Sequence, residues 1–268
     1  ALKDAGKLET LNVEIVFTGD EEKSGRPINL SKKAIIDAAT RADIAIGFEN
    51  GDSDYTTAVV SRRGSTGWEL KVTGSAAHSS QIFSERVGAG AIYEASRILD
   101  QFYQQLSQEE FLTFNPGLML AGTSFEFTSG SDCGSASGNI KIVAKDALVK
   151  GDIRAVSPEQ LDKAKEIMQK IVSENYPKTN ATLTFSDSGY PPIAPSEGNK
   201  KLLSKDSKVS EDLGFGKVDA VHPINAGAAD VSFTSGLVDA AMDGLGLSGG
   251  KDHTIDEFAE IHRLPVLT

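Results

Sequence analysis

A strand–loop–helix–strand pattern near the start of the chain is the feature that most restricts its fold. Residues 13–18 are rich in β-branched side chains and predict a short strand, which ends in a polar loop over residues 19–25. A helix capped by Ser31 follows, and residues 43–48 predict a second strand. Such alternation is typical of α/β domains, whose sites lie at the carboxyl ends of strands. The acidic residues at those ends are Glu21, Glu22 and Glu49.

A second pattern begins near residue 63 and predicts a separate module. Helices are predicted over residues 88–106 and after Ser157, and residues 122–139 predict a loop or hairpin. The predicted strands of this module lie at residues 68–73, 118–122, 147–155 and 181–185. The order β-α-β-β-α-β is that of ferredoxin-like domains. We therefore expect an α/β domain with a mixed sheet, formed by residues 1–62 and 187–268, into which a ferredoxin-like domain of residues 63–186 is inserted.

Charge and composition argue against several classes of function. The formal net charge is −11, and a surface this negative repels nucleic-acid phosphates and anionic lipid. No apolar run approaches the roughly 20 residues of a membrane span. A single cysteine, Cys133, excludes an internal disulfide. We expect no nucleic acid and no membrane among the partners, and enough apolar residues, 39%, for sizeable cores.

Adjacent carboxylates at Glu21 and Glu22 form the first candidate site. A turn at a strand end can direct both toward one pocket, where one binds a metal ion and the other acts as general base on water. A solvated acidic loop is the alternative. Glu49 adds a carboxylate at the end of the next strand. His253 lies in a glycine-rich loop that can bring a zinc-binding imidazole from a distant part of the chain.

Other enzymatic patterns carry less weight. Residues 244–249 match the dinucleotide-binding motif G-x-G-x-x-G. Such a site also needs a helix directly after the motif and an acidic residue about 20 positions later, and neither follows here. The nucleophile motif G-x-S-x-G occurs once, at residues 246–250 in that same stretch, where no predicted helix follows to form a nucleophile turn. Cys133 could pair with His78 as the nucleophile of a thiol hydrolase, and this alternative remains open. Cys133 can equally be an ordinary loop residue without a catalytic role.

Five motifs in order resemble the M20 family of aminoacylases, glutamate carboxypeptidase, succinyl-diaminopimelate desuccinylase and related di- and tripeptidases. The matching segments are residues 18–25 (the D-E-E-x-G signature), 74–80 with 88–92 (the start of the dimerisation domain), 152–154 (its D-[IV]-R strand), and 227–230 and 253–257 (the C-terminal motifs). The resemblance covers nearly the whole chain. It implies a zinc-peptidase-like catalytic domain with an inserted dimerisation, or lid, domain.

The resemblance also implies roles for individual residues. It implies two Zn²⁺ ions, which Co²⁺ or Mn²⁺ can replace, and the ligands that this chain supplies would be Glu22, Glu49 and His253. Glu21 would take the proton of the attacking water and pass it to the leaving amine. His78 would reach across a homodimer to stabilise the oxyanion, and Asn139 would contact the substrate. The implied substrate is a small peptide or an N-acyl amino acid.

Two departures from the family pattern set limits on this interpretation. Residues 227–230 are Gly-Ala-Ala-Asp, where the family more often has Gly-Gly-Thr-Asp. The family's first metal-binding motif, H-x-D, precedes D-E-E, yet none of the four histidines here is followed by x-Asp. We therefore expect a chain truncated at the N-terminus and at the C-terminus, which by itself binds metal poorly and is inactive. The alternative is a non-catalytic dimerising or binding protein on the same scaffold.

Overall fold

The chain divides into two compact units, one formed by Ala1–Arg62 with Ile193–Thr268 and the other by Arg63–Pro192. The computed structural model describes residues 6–52, 54–128, 133–187, 189–251 and 254–263. The described strands are β1 (Ile44–Ile46), β2 (Thr57–Ala58), β3 (Gly64–Thr73), β4 (Thr113–Gly122), β5 (Ser124–Phe127), β6 (Gly134–Ser137), β7 (Asp146–Ala155), β8 (Asn180–Phe185), β9 (Asp219–Ala220), β10 (Ala240–Met242), β11 (Gly249–Gly250) and β12 (Phe258–Ala259). The described α-helices are α1 (Ile28–Ser31), α2 (Lys33–Ala39), α3 (Gly90–Leu106), α4 (Pro158–Ser173) and α5 (Glu197–Asp212). None of these helices is long and apolar enough to cross a membrane.

The Arg63–Pro192 unit is built on one antiparallel sheet. Its strand order is β4-β7-β3-β8, and α3 and α4 pack against the sheet and against each other. Along the chain the elements run β3-α3-β4-β7-α4-β8, with the β5–β6 hairpin inserted after β4. This is the ferredoxin-like arrangement. Together with the α/β elements of the other unit, it confirms the predicted fold class.

The core between that sheet and its helices depends on Trp68. Its ring meets Phe102 of α3 edge to face, with 6.0 Å between ring centroids, and its Nε1 donates to the Asp152 carbonyl at 3.0 Å. A Cβ on Gly151 would lie 2.1 Å from the Asn115 carbonyl oxygen and 2.4 Å from the Trp68 ring. Glycine is therefore required at position 151, because only a residue without a side chain lets the indole lie flat on β7.

Helix α4 begins where its capping residues predict. Ser157 is the N-cap, and its hydroxyl accepts from the Gln160 amide at 3.2 Å. The Gln160 side chain in turn accepts from the Val156 amide at 3.0 Å. The Ser157 hydroxyl thus satisfies one amide that the first turn of a helix leaves without a partner, and the Gln160 side chain ties that turn to the residue before the cap. The start of this helix is thus fixed by local sequence alone.

The other unit has much less regular sheet. Strand β1 pairs in parallel with β10, β2 pairs in parallel with β9, and β11 pairs antiparallel with β12. Helix α5 packs on β10. Its apolar residues form separate small clusters around Ala58, Val59 and Ala229 rather than one large core. Loops therefore make up most of the surroundings of the candidate site.

Two predictions for this unit are wrong in detail. Residues 13–18 form no strand, and Ile15 and Phe17 are 72% and 93% exposed. A strand is stable only when a neighbour satisfies its backbone, and none of the described strands pairs with this segment. Ser31 is not a helix N-cap but the last residue of α1, and its hydroxyl instead donates to the Asp20 carboxylate.

Candidate active site

The turn that carries Glu21 and Glu22 is closed by the acid that precedes them. Asp20 Oδ2 accepts from the Gly25 amide at 2.9 Å and also from the Ser31 hydroxyl. The Lys32 ammonium lies 2.8 Å from Asp20 Oδ1. The hydrogen bonds from Lys32 first, then from Ser31 and Gly25, hold the pKa of Asp20 far below its ordinary range. Asp20 therefore fixes the shape of the turn as a permanent anion.

Lys32 joins this turn to a segment from the far end of the chain. Its side chain is fully buried, and Nζ lies 2.8 Å from Asp20 Oδ1 and 2.9 Å from Asp230 Oδ1. Asp230 is the last residue of the Gly-Ala-Ala-Asp motif and is itself buried. Sequence analysis did not single out Lys32. The available signal was its place directly before α2 and one turn before the apolar residues Ile35 and Ile36, because a lysine among apolar residues needs a buried anion.

Glu21 is surrounded by other carboxylates. Its side chain is half-buried, and burial raises its pKa, followed in effect by the charges of Glu49, Glu22 and Asp230. The positive charge of Lys32 acts in the opposite direction. We call Glu21, Glu22, Glu49 and Asp230 the acidic cluster. A raised pKa makes a carboxylate a stronger proton acceptor, which is the property that a general base requires.

Glu49 reaches the acidic cluster from the loop after β1. It is exposed, and its own Oε1 accepts from the Asn50 amide at 2.9 Å. The Glu49 amide donates to Asp243 Oδ1 at 3.1 Å, and Asp243 is buried in an ion pair with Arg62. Sequence analysis missed Arg62 and Asp243, since no local pattern announces a buried pair so distant in sequence.

The donor set of the acidic cluster fits a divalent cation in chemistry but is incomplete. Glu22 and Glu49 offer carboxylate oxygens, and a cation would offset the repulsion that raises the pKa of Glu21. Across the described ranges, no three His, Cys, Asp or Glu side chains are grouped so that they could hold a metal ion. The predicted ligand His253 lies outside the described residues.

His78 and Asn139, in the Arg63–Pro192 unit, lie on two adjoining loops. An antiparallel bridge pairs His78 with Ile142, and the Ser79 amide donates to the Lys141 carbonyl at 2.8 Å. Both His78 and Asn139 are exposed. His78 Nδ1 lies 3.3 Å from the Ser80 amide nitrogen, which donates to it, and 2.9 Å from the Ser80 hydroxyl oxygen. The contacts with Ser80 therefore involve Nδ1 and not Nε2.

Cys133, the thiol of the remaining alternative, precedes β6 and is exposed. Its backbone carbonyl accepts from the Thr128 amide at 3.1 Å and closes the β5–β6 hairpin. This placement is that of an ordinary hairpin residue.

Comparisons with known proteins find one matching family model and several solved structures of similar fold. Residues 60–180 match the family model of the peptidase dimerisation domain of the M20 type. The fold is similar to that of aminopeptidase PepT from Bacillus cereus, with a TM-score of 0.66 and 17% identity, over 93% of this chain and 60% of that one. It is also similar to a tripeptidase from Staphylococcus aureus, with a TM-score of 0.59 and 20% identity, over 88% of this chain and 59% of that one.

A third similar structure is an amidase of the hydantoinase/carbamoylase family from Burkholderia phymatum. The TM-score is 0.53 and the identity 12%, over 84% of this chain and 51% of that one. Identities this low establish a shared fold and nothing finer. The chain spans about 60% of the length of the two peptidases. No curated protein sequence matches it.

Proposed function

Since residues 60–180 match the family model of the M20-type peptidase dimerisation domain and the fold is similar to that of two peptidases, we propose that the chain carries part of the site of a metal-dependent amide hydrolase. The acidic cluster is the observation that supports this most directly. Like charges repel, so gathering carboxylates around a half-buried Glu21 lowers stability unless a cation offsets the repulsion. Such an arrangement is typical of functional sites.

Within this proposal Glu21 is the general base. Zn²⁺, two ions per complete site with Co²⁺ or Mn²⁺ as possible substitutes, supplies the Lewis acidity that makes water a nucleophile at neutral pH. Glu22, Glu49 and His253 would hold the metal. Glu21 removes a proton from the attacking water and returns it to the leaving amine. Its raised pKa makes Glu21 a stronger proton acceptor than an ordinary glutamate, which suits the first of these steps.

The dimerisation domain supplies the second half of the proposed site. His78 would donate its Nε2–H to the oxyanion formed in the partner subunit, and Asn139 on the adjoining loop would contact the substrate. Homodimer formation is supported by the matched domain and by exposed apolar side chains on this unit, with Phe83 66%, Tyr93 53% and Ile140 96% exposed. Sedimentation showing a monomer at high protein concentration would count against it.

The proposed substrate is a small peptide or an N-acyl amino acid. The aminopeptidase, tripeptidase and amidase of similar fold support an amide bond in a small molecule as the target. We also propose that this 268-residue chain is inactive by itself. Glu22, Glu49 and His253 are too few ligands for two metal ions. Two tightly bound zinc ions per chain in metal analysis would refute this part of the proposal.

The test of Glu21 uses an isosteric change. In a longer protein that supplies the remaining ligands, Glu21→Gln should lower amide hydrolysis by roughly 100-fold or more at saturating Zn²⁺ or Co²⁺, because the proton acceptor is lost. Glu14→Gln, an exposed acid that pairs with Arg41 outside the cluster, is the control and should leave turnover unchanged. Turnover unchanged in Glu21→Gln would remove Glu21 as the base. No turnover in the unchanged protein would instead favour a non-catalytic dimerising or binding protein.

A further inference from the structure

Arg62 and Asp243 form an ion pair that is almost completely removed from water. Arg62 Nε lies 2.8 Å from Asp243 Oδ2, and the two residues are 4% and 1% exposed. Charges in such a place lose more hydration energy than pairing usually restores, so well-packed apolar residues often serve stability equally well. The energy of the pair alone therefore does not explain why two charged residues occupy this position.

The other hydrogen bonds of Arg62 explain its position better. Nη1 donates to the Gly227 carbonyl at 2.9 Å, and Nη2 donates to the Asn50 carbonyl at 3.2 Å. Gly227 opens the motif that ends at Asp230, and Asn50 follows Glu49. The planar guanidinium thus ties together two loops that each carry a member of the acidic cluster, with a fixed fork that lysine cannot reproduce.

Asp243 adds a third segment to this connection. Its Oδ1 accepts from the Glu49 amide at 3.1 Å and from the Gly244 amide at 2.8 Å. Gly244 begins the glycine-rich loop that leads to His253. A Cβ on Gly47 would lie only 2.2 Å from Asp243 Oδ1, so the chain before Glu49 passes directly over the carboxylate.

These segments have little other support. Strands β1 and β10 have three residues each, and the sheets of this unit are two-stranded. A wide sheet, which usually fixes the loops at its strand ends, is not present among the described residues of this unit. Side-chain bonds must then hold the loops at a defined spacing, since backbone pairing covers so few of their residues.

We propose that Arg62 and Asp243 act together as a positioning pair, which sets the place of Glu49 relative to the segment of Asp230 and the loop that begins at Gly244. The inference rests on the proposed function, because a fixed spacing of these groups matters only if they bind a cation together. Neither residue touches the cation or the substrate. Their effect passes through the backbone of Glu49, in the way that outer residues orient metal ligands elsewhere.

The experiment measures two properties of the 268-residue chain and of three variants. Arg62→Lys keeps the charge and removes the fork, and Gly47→Ala displaces the Asp243 carboxylate with a single methyl group. Arg97→Lys is the matched control, because Arg97 also pairs with a fully buried acid, Glu94, at 2.7 Å and also donates to backbone carbonyls, but in the other unit. The properties are amide hydrogen exchange by residue and affinity for Co²⁺ alone, measured by calorimetry up to millimolar concentration.

Arg62→Lys and Gly47→Ala should each speed exchange about tenfold or more at Glu49 and Gly244. They should also weaken Co²⁺ binding about 10- to 100-fold. Arg97→Lys should change neither property. Equal Co²⁺ affinity in the unchanged chain and in Arg62→Lys would overturn the inference and leave the proposed function standing. Absence of Co²⁺ binding in the unchanged chain is the result expected from its shortage of ligands, and hydrogen exchange alone would then decide. Unchanged exchange in Arg62→Lys would refute the positioning role whatever the metal does.

Discussion

Replacing Lys32 by methionine should destabilise the unit that holds the acidic cluster, because Lys32 is its most completely buried charge. The Lys32 ammonium donates to Asp20 Oδ1 at 2.8 Å and to the Asp20 carbonyl at 3.3 Å, and it lies 2.9 Å from Asp230 Oδ1. Its side chain is 0% exposed and that of Asp230 is 10% exposed. Methionine has nearly the same length and leaves little cavity, so the change removes the charge and not the packing.

The loss of stability expected for Lys32→Met follows from the acidic partners that remain after the ammonium is removed. Removing one partner of a buried ion pair costs about 3–5 kcal/mol, because the other charge stays desolvated. Lys33→Met is the matched control one residue along. Its ammonium pairs with Asp37 on the surface, where the side chains are 62% and 48% exposed, and such a pair contributes below about 0.5 kcal/mol. The two neighbouring substitutions, Lys32→Met and Lys33→Met, should thus differ severalfold in the stability that they remove.

Urea unfolding is the assay. With a slope of about 2 kcal/mol per M, Lys32→Met should lower the midpoint of the far-ultraviolet circular dichroism transition of this unit by about 2 M, and Lys33→Met by less than about 0.3 M. Trp68, the only tryptophan, lies in the Arg63–Pro192 unit, and its fluorescence gives a separate record of that unit.

The pH dependence separates charge from packing. Lys32 is the main cause of the depressed pKa of Asp20, so this carboxylate contributes stability above its ordinary value of 3.8 and loses it as pH falls through the folded pKa. The gap between the unchanged chain and Lys32→Met should therefore be largest at pH 7 and shrink toward pH 3. A gap that is constant over this range, or no larger than that of Lys33→Met, would refute the ion-pair argument.

Three further outcomes follow. Glu21→Gln should stabilise the metal-free chain at pH 7, because the raised pKa of Glu21 makes stability fall as pH rises from the ordinary value of 4.5 through the folded pKa. In urea titrations this gain in stability should vanish below pH 4.5. A loss of stability at pH 7 would contradict the prediction. Gly151→Ala should cost about 3 kcal/mol in Trp68 fluorescence melts, since its Cβ would lie 2.1 Å from backbone, and a cost under about 1 kcal/mol would show that β7 can shift. Ser157→Ala should cost about 1 kcal/mol by loss of the α4 cap, whereas Ser157→Asp, which keeps an acceptor, should cost little.

The inserted module shows how far local sequence carries a prediction. The alternation of residues 68–73 predicted a strand, which proved to be the end of the longer β3, Gly64–Thr73. The cap at Ser157 predicted the first residue of α4. Both signals lie within a few residues of the element that they specify, and a broad apolar core around Trp68 reinforces them. Local and tertiary preferences agree there, so the sequence pattern suffices.

The segment of residues 13–18 shows the opposite case. Its β-branched side chains favour a strand, but a strand also requires a neighbour, and none of the described strands provides one. Propensity describes the preference of a segment for a pleated surface and not the presence of that surface. Ser31 illustrates the same limit, because its hydroxyl serves Asp20 rather than a helix end.

The sequence by itself determined that carboxylates follow two short apolar runs, Glu21 and Glu22 after the first and Glu49 after the second. Only the tertiary structure decided what surrounds them. Lys32 between Asp20 and Asp230, and Arg62 with Asp243, join residues far apart in the chain. A charge can be buried only where folding brings its counter-charge within hydrogen-bonding distance, and that meeting depends on the path of the whole chain rather than on any local pattern.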